Sequence, residues 1–284
     1  MAITNSITTK WAAAAKVELQ ENSIGMMITD GQWSVESEGA KTISIIGVTT
    51  PTISDYVPGT TELSYEAITD NKIDIDLDVY KSFSFKYDEV EVAQSTPDYV
   101  PAAMTQAGGA LALEADSKVL GLYGATAIPA ANKIGAIAAS IDIKEANILR
   151  YIGSVAGKLR AQHVARGTGF MVVPVWFMDK FVQAAGSKLT DNAQVFDSGV
   201  VYKYAGLNII ESTEVYEMGT GDDEAQIMAF SPRAIGMGVT VSKVETLKNP
   251  NAFGELVRGL FAFGADVVYG TEVVVLSATE GTES

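Results

Sequence analysis

The chain contains no cysteine and a single histidine, His163. The first absence removes disulfides, thiolate nucleophiles, iron–sulfur clusters and Cys-based zinc sites together. It also frees stability from the redox state of the compartment. One imidazole leaves any Ser-His-Asp arrangement a single candidate and excludes a His-rich metal site. Positive charge is scarce as well: 20 Lys and Arg stand against 35 Asp and Glu, a formal net charge of -15. A protein that grips nucleic acid through its phosphates needs the opposite surplus. Long apolar runs are missing. The most apolar stretch, Gly259 to Leu276, is broken by Asp266 and Glu272 and does not read as a membrane span. The Ala12–Ala15 run has no basic region ahead of it and is too short for a signal core. The sequence therefore predicts a protein made and kept in a cytoplasm.

What is present suits a globular chain: 284 residues, 47% of them hydrophobic and 19% charged, enough for one or two domains with a sizeable core. Residues 1–38 are mixed. Lys10 to Leu19 suggests a short helix that is marginal alone, so this stretch reads either as an arm ordered by lying on something else or as a frayed terminus. Residues 39–96 read as strand and loop. Ile73, Ile75, Leu77 and Val79 alternate with Asp74, Asp76, Asp78 and Tyr80, the period of a half-buried strand. Ser82 to Tyr87 continues the alternation with aromatics. From Asp55 to Asp98 there are eleven acids and three lysines. This ribbon has no helix of its own nearby. Two strands alone are marginal in water, so it must pack on a distant part of the chain or on another molecule.

Residues 98–123 predict a long helix, with Asp98 as cap, Pro101 in the first turn and Met104, Ala107, Leu111, Val119 and Leu122 near one stripe. Gly108-Gly109 inside it fits either tight packing or a bend. A second helix is expected from Ile143 to Ala165, capped by Asp142 with Glu145 at capping-box spacing and stopped by Gly167. Its apolar face is Ile148, Ile152, Val155 and Leu159. Beyond it lie a strand at Phe170–Val175, a helix at Trp176–Ala185, strand from Val200 to Ser212 around Gly206, and strands over Gln226–Thr246 and Ala265–Leu276. Strands and helices interleave without regular βαβ repeats, which places the chain in the α+β class.

No residue set singles itself out for chemistry. Arg166-Gly167-Thr168-Gly169 has glycines like a phosphate loop, but it follows a helix and precedes a strand, the reverse of the required order. Asp74, Asp76 and Asp78 would sit about 6.6–7 Å apart on one strand face, too far to share a calcium ion unaided. They read as a solvated face, or as an acidic rim that meets Lys or Arg of a neighbour. The acidic turn Gly219 to Glu224 reads as a surface loop. His163 is expected near a helix C-terminus, where it favours the dipole. Neither a nucleophile elbow nor a Gly-Lys-Ser/Thr loop is present. No cofactor, catalytic residue or metal site is expected.

Tyr80-Lys81-Ser82-Phe83-Ser84-Phe85-Lys86-Tyr87-Asp88, followed by Gln94-Ser95, resembles the major capsid proteins of tailed bacteriophages. So do Val173-Pro174-Val175-Trp176-Phe177 with Val182 to Gly186, and Gly199 with Gly206-Leu207-Asn208-Ile209 and Glu211-Ser212. The order and spacing of these pieces extend over most of the chain. The resemblance implies the Hong-Kong-97-type capsid fold, with an N-terminal arm (1–38), an extended β-hairpin loop (39–72), a peripheral domain with a long spine helix (73–139), a mostly axial domain (140–250) and a return to the peripheral domain (251–284). It implies an icosahedral shell subunit that forms pentamers and hexamers with its own copies and encloses double-stranded DNA without reading its sequence. Trp11 is the expected anchor of the arm. Tyr56, Val57 and Pro58 are expected at the hairpin tip, and Phe83 and Phe85 in the subunit's own core.

The implied partners are a separate scaffolding protein, since no segment of the cleaved-scaffold type is evident, together with a portal and a possible decoration protein. No membrane is expected among them. The implied location is the virion, after assembly in a bacterial cytoplasm. Lys41 has no matching Asn, so covalent crosslinking is not expected. The alternatives are an encapsulin-type nanocompartment shell and, from a different class, a hydrolase using acidic residues.

Overall fold

The computed structural model describes residues 23–29, 41–48, 53, 55, 58, 67, 70–88, 99–137, 139–186, 201–218, 224–250 and 252–281. Trp11, Tyr56, Val57, Asp98 and the acidic turn 219–223 lie outside them. The described residues build two sheets and a separate ribbon. Strands β6 (Gly169–Val173), β8 (Leu207–Glu211), β10 (Glu224–Phe230) and β13 (Val273–Glu280) form the heart of an eight-stranded sheet. Its order runs β4 (Lys133–Ile134), β13, β10, β6, β8, β7 (Val201–Tyr204), with β5 (Ile141–Ile143) also on β13 and β9 (Glu217–Met218) on β10. β10 pairs antiparallel with both neighbours, Phe230 facing Val273 on one side and Phe170 on the other. Val273 to Ala278 and Ala225 to Phe230 are buried without alternation, as strands covered on both faces must be.

Two helices pack with this sheet. α3 (Glu145–Ala161) buries Ile148, Ile152, Val155 and Leu159, the stripe its sequence predicts. α4 (Val175–Gly186) buries Phe177, Met178 and Phe181. Both ends of α3 differ from expectation. Asp142 is not the cap. It lies in β5, and the Lys144 N–H donates to Asn147 Oδ1 instead (2.9 Å), while Asn147 Nδ2 donates to the Asp142 carbonyl (2.9 Å). Gly167 does not stop the helix. The chain turns earlier, at His163, whose φ is 64°. There the His163 N–H reaches the Arg160 carbonyl and the Val164 N–H reaches that of Leu159, the paired bonds of a Schellman ending. His163 is thus an exposed left-handed residue just past the helix. Gly167, at φ 86°, instead holds the turn whose N–H donates to the Gly206 carbonyl.

The smaller sheet has three strands in the order β11 (Ile235–Lys248), β12 (Gly254–Val267), β3 (Val79–Asp88). The long helix α2 (Tyr99–Leu120) lies against it and continues into a 3₁₀ turn at Gly121–Gly124. Met104 meets Val244 and Val257 there, with Phe83, Phe85 and Tyr87 packed around them. Phe83 and Phe85 therefore serve the subunit's own core. A Cβ at Gly259 would fall 2.2 Å from the Phe83 ring, so only glycine admits that ring. α2 runs unbroken through Gly108-Gly109 with Gly108 buried, which favours packing over a bend. The segment 251–284 divides between the sheets: β12 joins the smaller and β13 the larger.

The ribbon is β1 (Thr42–Val48) paired antiparallel with β2 (Asp70–Asp76). The alternation from Ile73 to Tyr87 predicts one continuous strand, but the chain divides at Leu77-Asp78. Before the break it pairs with β1, and after it with β12. The break follows from close packing: a Cβ at Gly264 of β12 would sit 2.0 Å from the Asp76 carbonyl oxygen. The base of the ribbon has a home in its own chain. Ile43, Ile45, Ile75 and Leu77 form a small core with Val268. Further out, Ile46 is 69% exposed and Ile53 95%.

Candidate assembly surfaces and the junction between sheets

The ribbon's outer face is polar because its cross-strand partners are. Ser44 stands opposite Asp74 and Thr42 opposite Asp76. Ser44 Oγ donates to Asp74 (2.6 Å) and Thr42 Oγ1 to Asp76 (3.1 Å). The Ser44 hydroxyl, then Lys72 at 3.0 Å, holds the Asp74 carboxyl below its ordinary value. Asp78 faces elsewhere and pairs with Lys118 of α2 (3.2 Å). The three aspartates thus share no centre, and no group of three or more metal-ligating side chains occurs among the described residues. Pro58 lies at an exposed turn.

The outer face of the smaller sheet carries the opposite sign. Lys86, Lys243 and Arg258 are exposed there around Glu245. Glu245 accepts from Lys243 and from Arg258 (Nε at 2.8 Å), and these contacts lower its pKa, Lys243 first. Ser82, Ser84, Lys243, Arg258 and Leu260 line a shallow hollow of about 500 Å³ on this face. Tyr80, Leu247 and Leu260 add exposed apolar area to it.

Among the described residues the chain passes between the two sheets three times, at 121–132, 231–234 and 268–272, and these passages meet. The Ala234 carbonyl accepts from the Val268 and Tyr269 N–H groups (2.8 and 3.1 Å). Asn132 Nδ2 donates to the Thr271 and Val273 carbonyls (2.7 and 3.0 Å). A Cβ at Gly270 would fall 1.8 Å from the Ala127 carbonyl oxygen. At the centre is Glu272, only 6% exposed. It accepts from Ser231 Oγ and is gripped by both Nε and Nη2 of Arg233. Burial pushes its carboxyl up, but the Arg233 and Ser231 hydrogen bonds outweigh this and hold it below the ordinary range. The Arg233 guanidinium also lies 5.9 Å from the Tyr269 ring centre. The main core is continuous across this junction, since Ala112, Ala115, Val119, Phe261 and Phe263 join the cluster built on the larger sheet.

The described part of the N-terminal stretch packs on α2 and enters the main core through Ile28. A five-residue helix, α1 (Ile24–Ile28), lies on α2. Asp116 of α2 accepts from Ser23 Oγ (2.6 Å), the Gly25 N–H (2.8 Å) and the Ile24 N–H (3.1 Å). The sequence alone gives Asp116 and Arg233 no role, and marks Glu272 only as a break in an apolar stretch. The available signal was an acid inside an otherwise buried stripe, Asp116 between Ala115 and Val119 and Glu272 ahead of Val273–Leu276.

This architecture is the Hong-Kong-97-type capsid fold. A Mycobacterium phage Che8 structure superposes with a TM-score of 0.68 at 25% identity, over 89% of this chain and 90% of that one. The capsid structure of the cyanophage P-SCSP1u gives 0.65 at 19% identity, over 86% and 85%. The virus-like particle from Pyrococcus furiosus gives 0.56 at 14% identity, over 95% and 99%. No family model and no curated protein matches the chain. The resemblance carried by Tyr80–Asp88 and the later motifs is therefore borne out in the fold. No helix among the described residues is long and apolar enough to cross a membrane.

Proposed function

We propose that this chain is a major capsid protein that assembles with its own copies into the icosahedral shell of a tailed phage. The observation that carries this reading is likeness to phage capsids along nearly nine-tenths of the chain. The eight-stranded sheet with α3 and α4 serves as the axial domain, while α2, β3, β11 and β12 serve as the peripheral domain. The hairpin loop then begins at β1 and ends with β2. The chain is a structural protein rather than an enzyme, and its acidity suits a wall that densely packed DNA must not adhere to.

Assembly works through segments that one subunit cannot fully bury. The ribbon's base is fixed by Val268, while its outer part reaches a second copy. Charge supports that partner. Between residues 49 and 71 the sequence has Asp55, Glu62, Glu66 and Asp70 and no Lys or Arg. The exposed sheet face with Lys86, Lys243 and Arg258 complements it. Tyr56, Val57 and Pro58 form the tip of this reach, Asp74, Asp76 and Asp78 border it, and Trp11 anchors the arm. A scaffolding protein, a portal and a decoration protein are the further partners, with assembly in the host cytoplasm. Ring closure multiplies modest contacts into a stable shell.

Electron microscopy of the purified full chain tests the reading. Closed shells in the megadalton range are expected, and a small soluble oligomer under all assembly conditions would overturn it. A second reading is an encapsulin-type shell around protein cargo, since a virus-like particle also shares the fold. Particles that co-purify with an enzyme in place of DNA, when produced in their native setting, would favour that reading.

A further inference from the structure

α1 should not exist by itself. Five residues cannot repay the cost of helix nucleation in water, and its first-turn N–H groups need acceptors from outside the helix. They find them in one place. Asp116 takes the Ile24 and Gly25 N–H groups, one on each carboxylate oxygen. Ser23 Oγ donates to the same carboxylate and accepts from the Met26 N–H (3.1 Å). The Ser23 carbonyl takes the Met27 N–H. At the other end Thr29 Oγ1 closes on the Gly25 carbonyl (2.7 Å), and Ile28 is wholly buried. The fit is close. A Cβ at Gly25 would lie 2.9 Å from Asp116 Oδ1 and 3.2 Å from Val119 Cγ2.

Asp116 has an unusual environment for a carboxylate that is 2% exposed. Its partners are one hydroxyl and two backbone N–H groups, none of them a cation. Burial pushes its carboxyl above the ordinary value, against the opposing pull of Ser23, Gly25 and Ile24. A charge buried this way is a costly means of gaining stability, whereas it specifies position well, because only one placement of Ser23–Gly25 satisfies it.

We propose that Asp116 is a latch that fixes the N-terminal segment to the long helix of its own subunit, so that residues ahead of Ser23 leave from one set point, and that opening it frees this segment without unfolding the sheets. Its consequence for assembly rests on the capsid reading, while the latch itself does not. The sequence suggests an arm ordered by lying on something else; here part of that support is the long helix of its own chain.

Hydrogen exchange on the full chain, read by mass spectrometry on the unassembled subunit, tests the latch. Asp116→Asn keeps the size but puts an N–H₂ group against donors. Exchange in peptides covering residues 24–29 is expected to rise about tenfold or more, with the eight-stranded sheet unchanged. Gly25→Ala should give the same local signature from the other side of the contact, with Asp116 intact, and remains informative if the first variant does not fold. Unchanged protection at 24–29 in both variants, or a loss spread evenly over α2 and both sheets, would overturn the proposal. Electron microscopy of the same samples separates the two readings. If the unaltered protein forms no shells, the capsid reading fails while the exchange result still decides the latch. If it does, Asp116→Asn is expected to lower the yield of closed particles.

Discussion

Among the described residues two carboxylates are buried, and in opposite ways. Glu272 at the junction is paired with Arg233 and Ser231 and ties together passages that each carry the chain from one sheet to the other. Asp116 on α2 has no cation partner among the described residues and holds a short helix through a hydroxyl and two backbone N–H groups. Both are nearly inaccessible to water, so burial alone does not separate them. The partners do. A paired charge at a crossing of several segments stabilises the whole subunit, whereas an unpaired one facing a single segment governs that segment alone.

The largest test of this contrast is steric. Gly270→Val drives a side chain into the Ala127 carbonyl and should cost about 3 kcal/mol, lowering the melting temperature of the whole subunit. An unchanged melt would break the view of the junction as the tie between sheets. Next comes Glu272→Gln, expected to cost about 2 kcal/mol globally through weakened charge-assisted hydrogen bonds. Chemical denaturation measures it, and a cooperative loss with unchanged slope is the expected form.

The two groups also respond to pH with opposite sign. Glu272 is held below its ordinary value, so its contribution is present above the unfolded carboxylate range and is lost as pH falls through the folded value. Asp116 is held above its ordinary value, so its contribution is greatest below the unfolded value and is lost as pH rises through the folded one. A carboxyl-selective NMR titration should therefore place the Asp116 midpoint above the ordinary aspartate value and the Glu272 midpoint below the ordinary glutamate value, and a shift of either in the other direction would undo the comparison. The smallest effect is expected at the ribbon. Asp74→Asn, Asp76→Asn and Asp78→Asn together should leave the melting temperature unchanged, because these groups are exposed and their partners are solvated. A clear drop would mean that the ribbon's outer face stabilises the subunit itself.

Much of the framework was readable because it is local. The stripe Ile148, Ile152, Val155, Leu159 specifies α3 by spacing, whereas the strand expected from Val200 to Ser212 is divided into β7 and β8 by a turn at Ala205-Gly206, both at positive φ. The break at Leu77-Asp78 was hidden because the alternation of apolar and polar residues continues across it. Only the close passage of Gly264 separates the two pairings. The end of α3 was misplaced because glycine is the usual left-handed residue and histidine took the position. The junction and the Asp116 contact were illegible for a plainer reason. The side chains of Asn132, Glu272 and Asp116 find their partners 39 to 141 residues away, and no periodicity records that distance.

Three covalent passages meeting at one point also determine how the subunit tolerates damage. A protease that cuts within 121–132, 231–234 or 268–272 leaves the remaining two links intact, and the continuous core beneath them keeps the severed ends in register. A nicked subunit should thus persist as a single body, with its fragments separating only on denaturation.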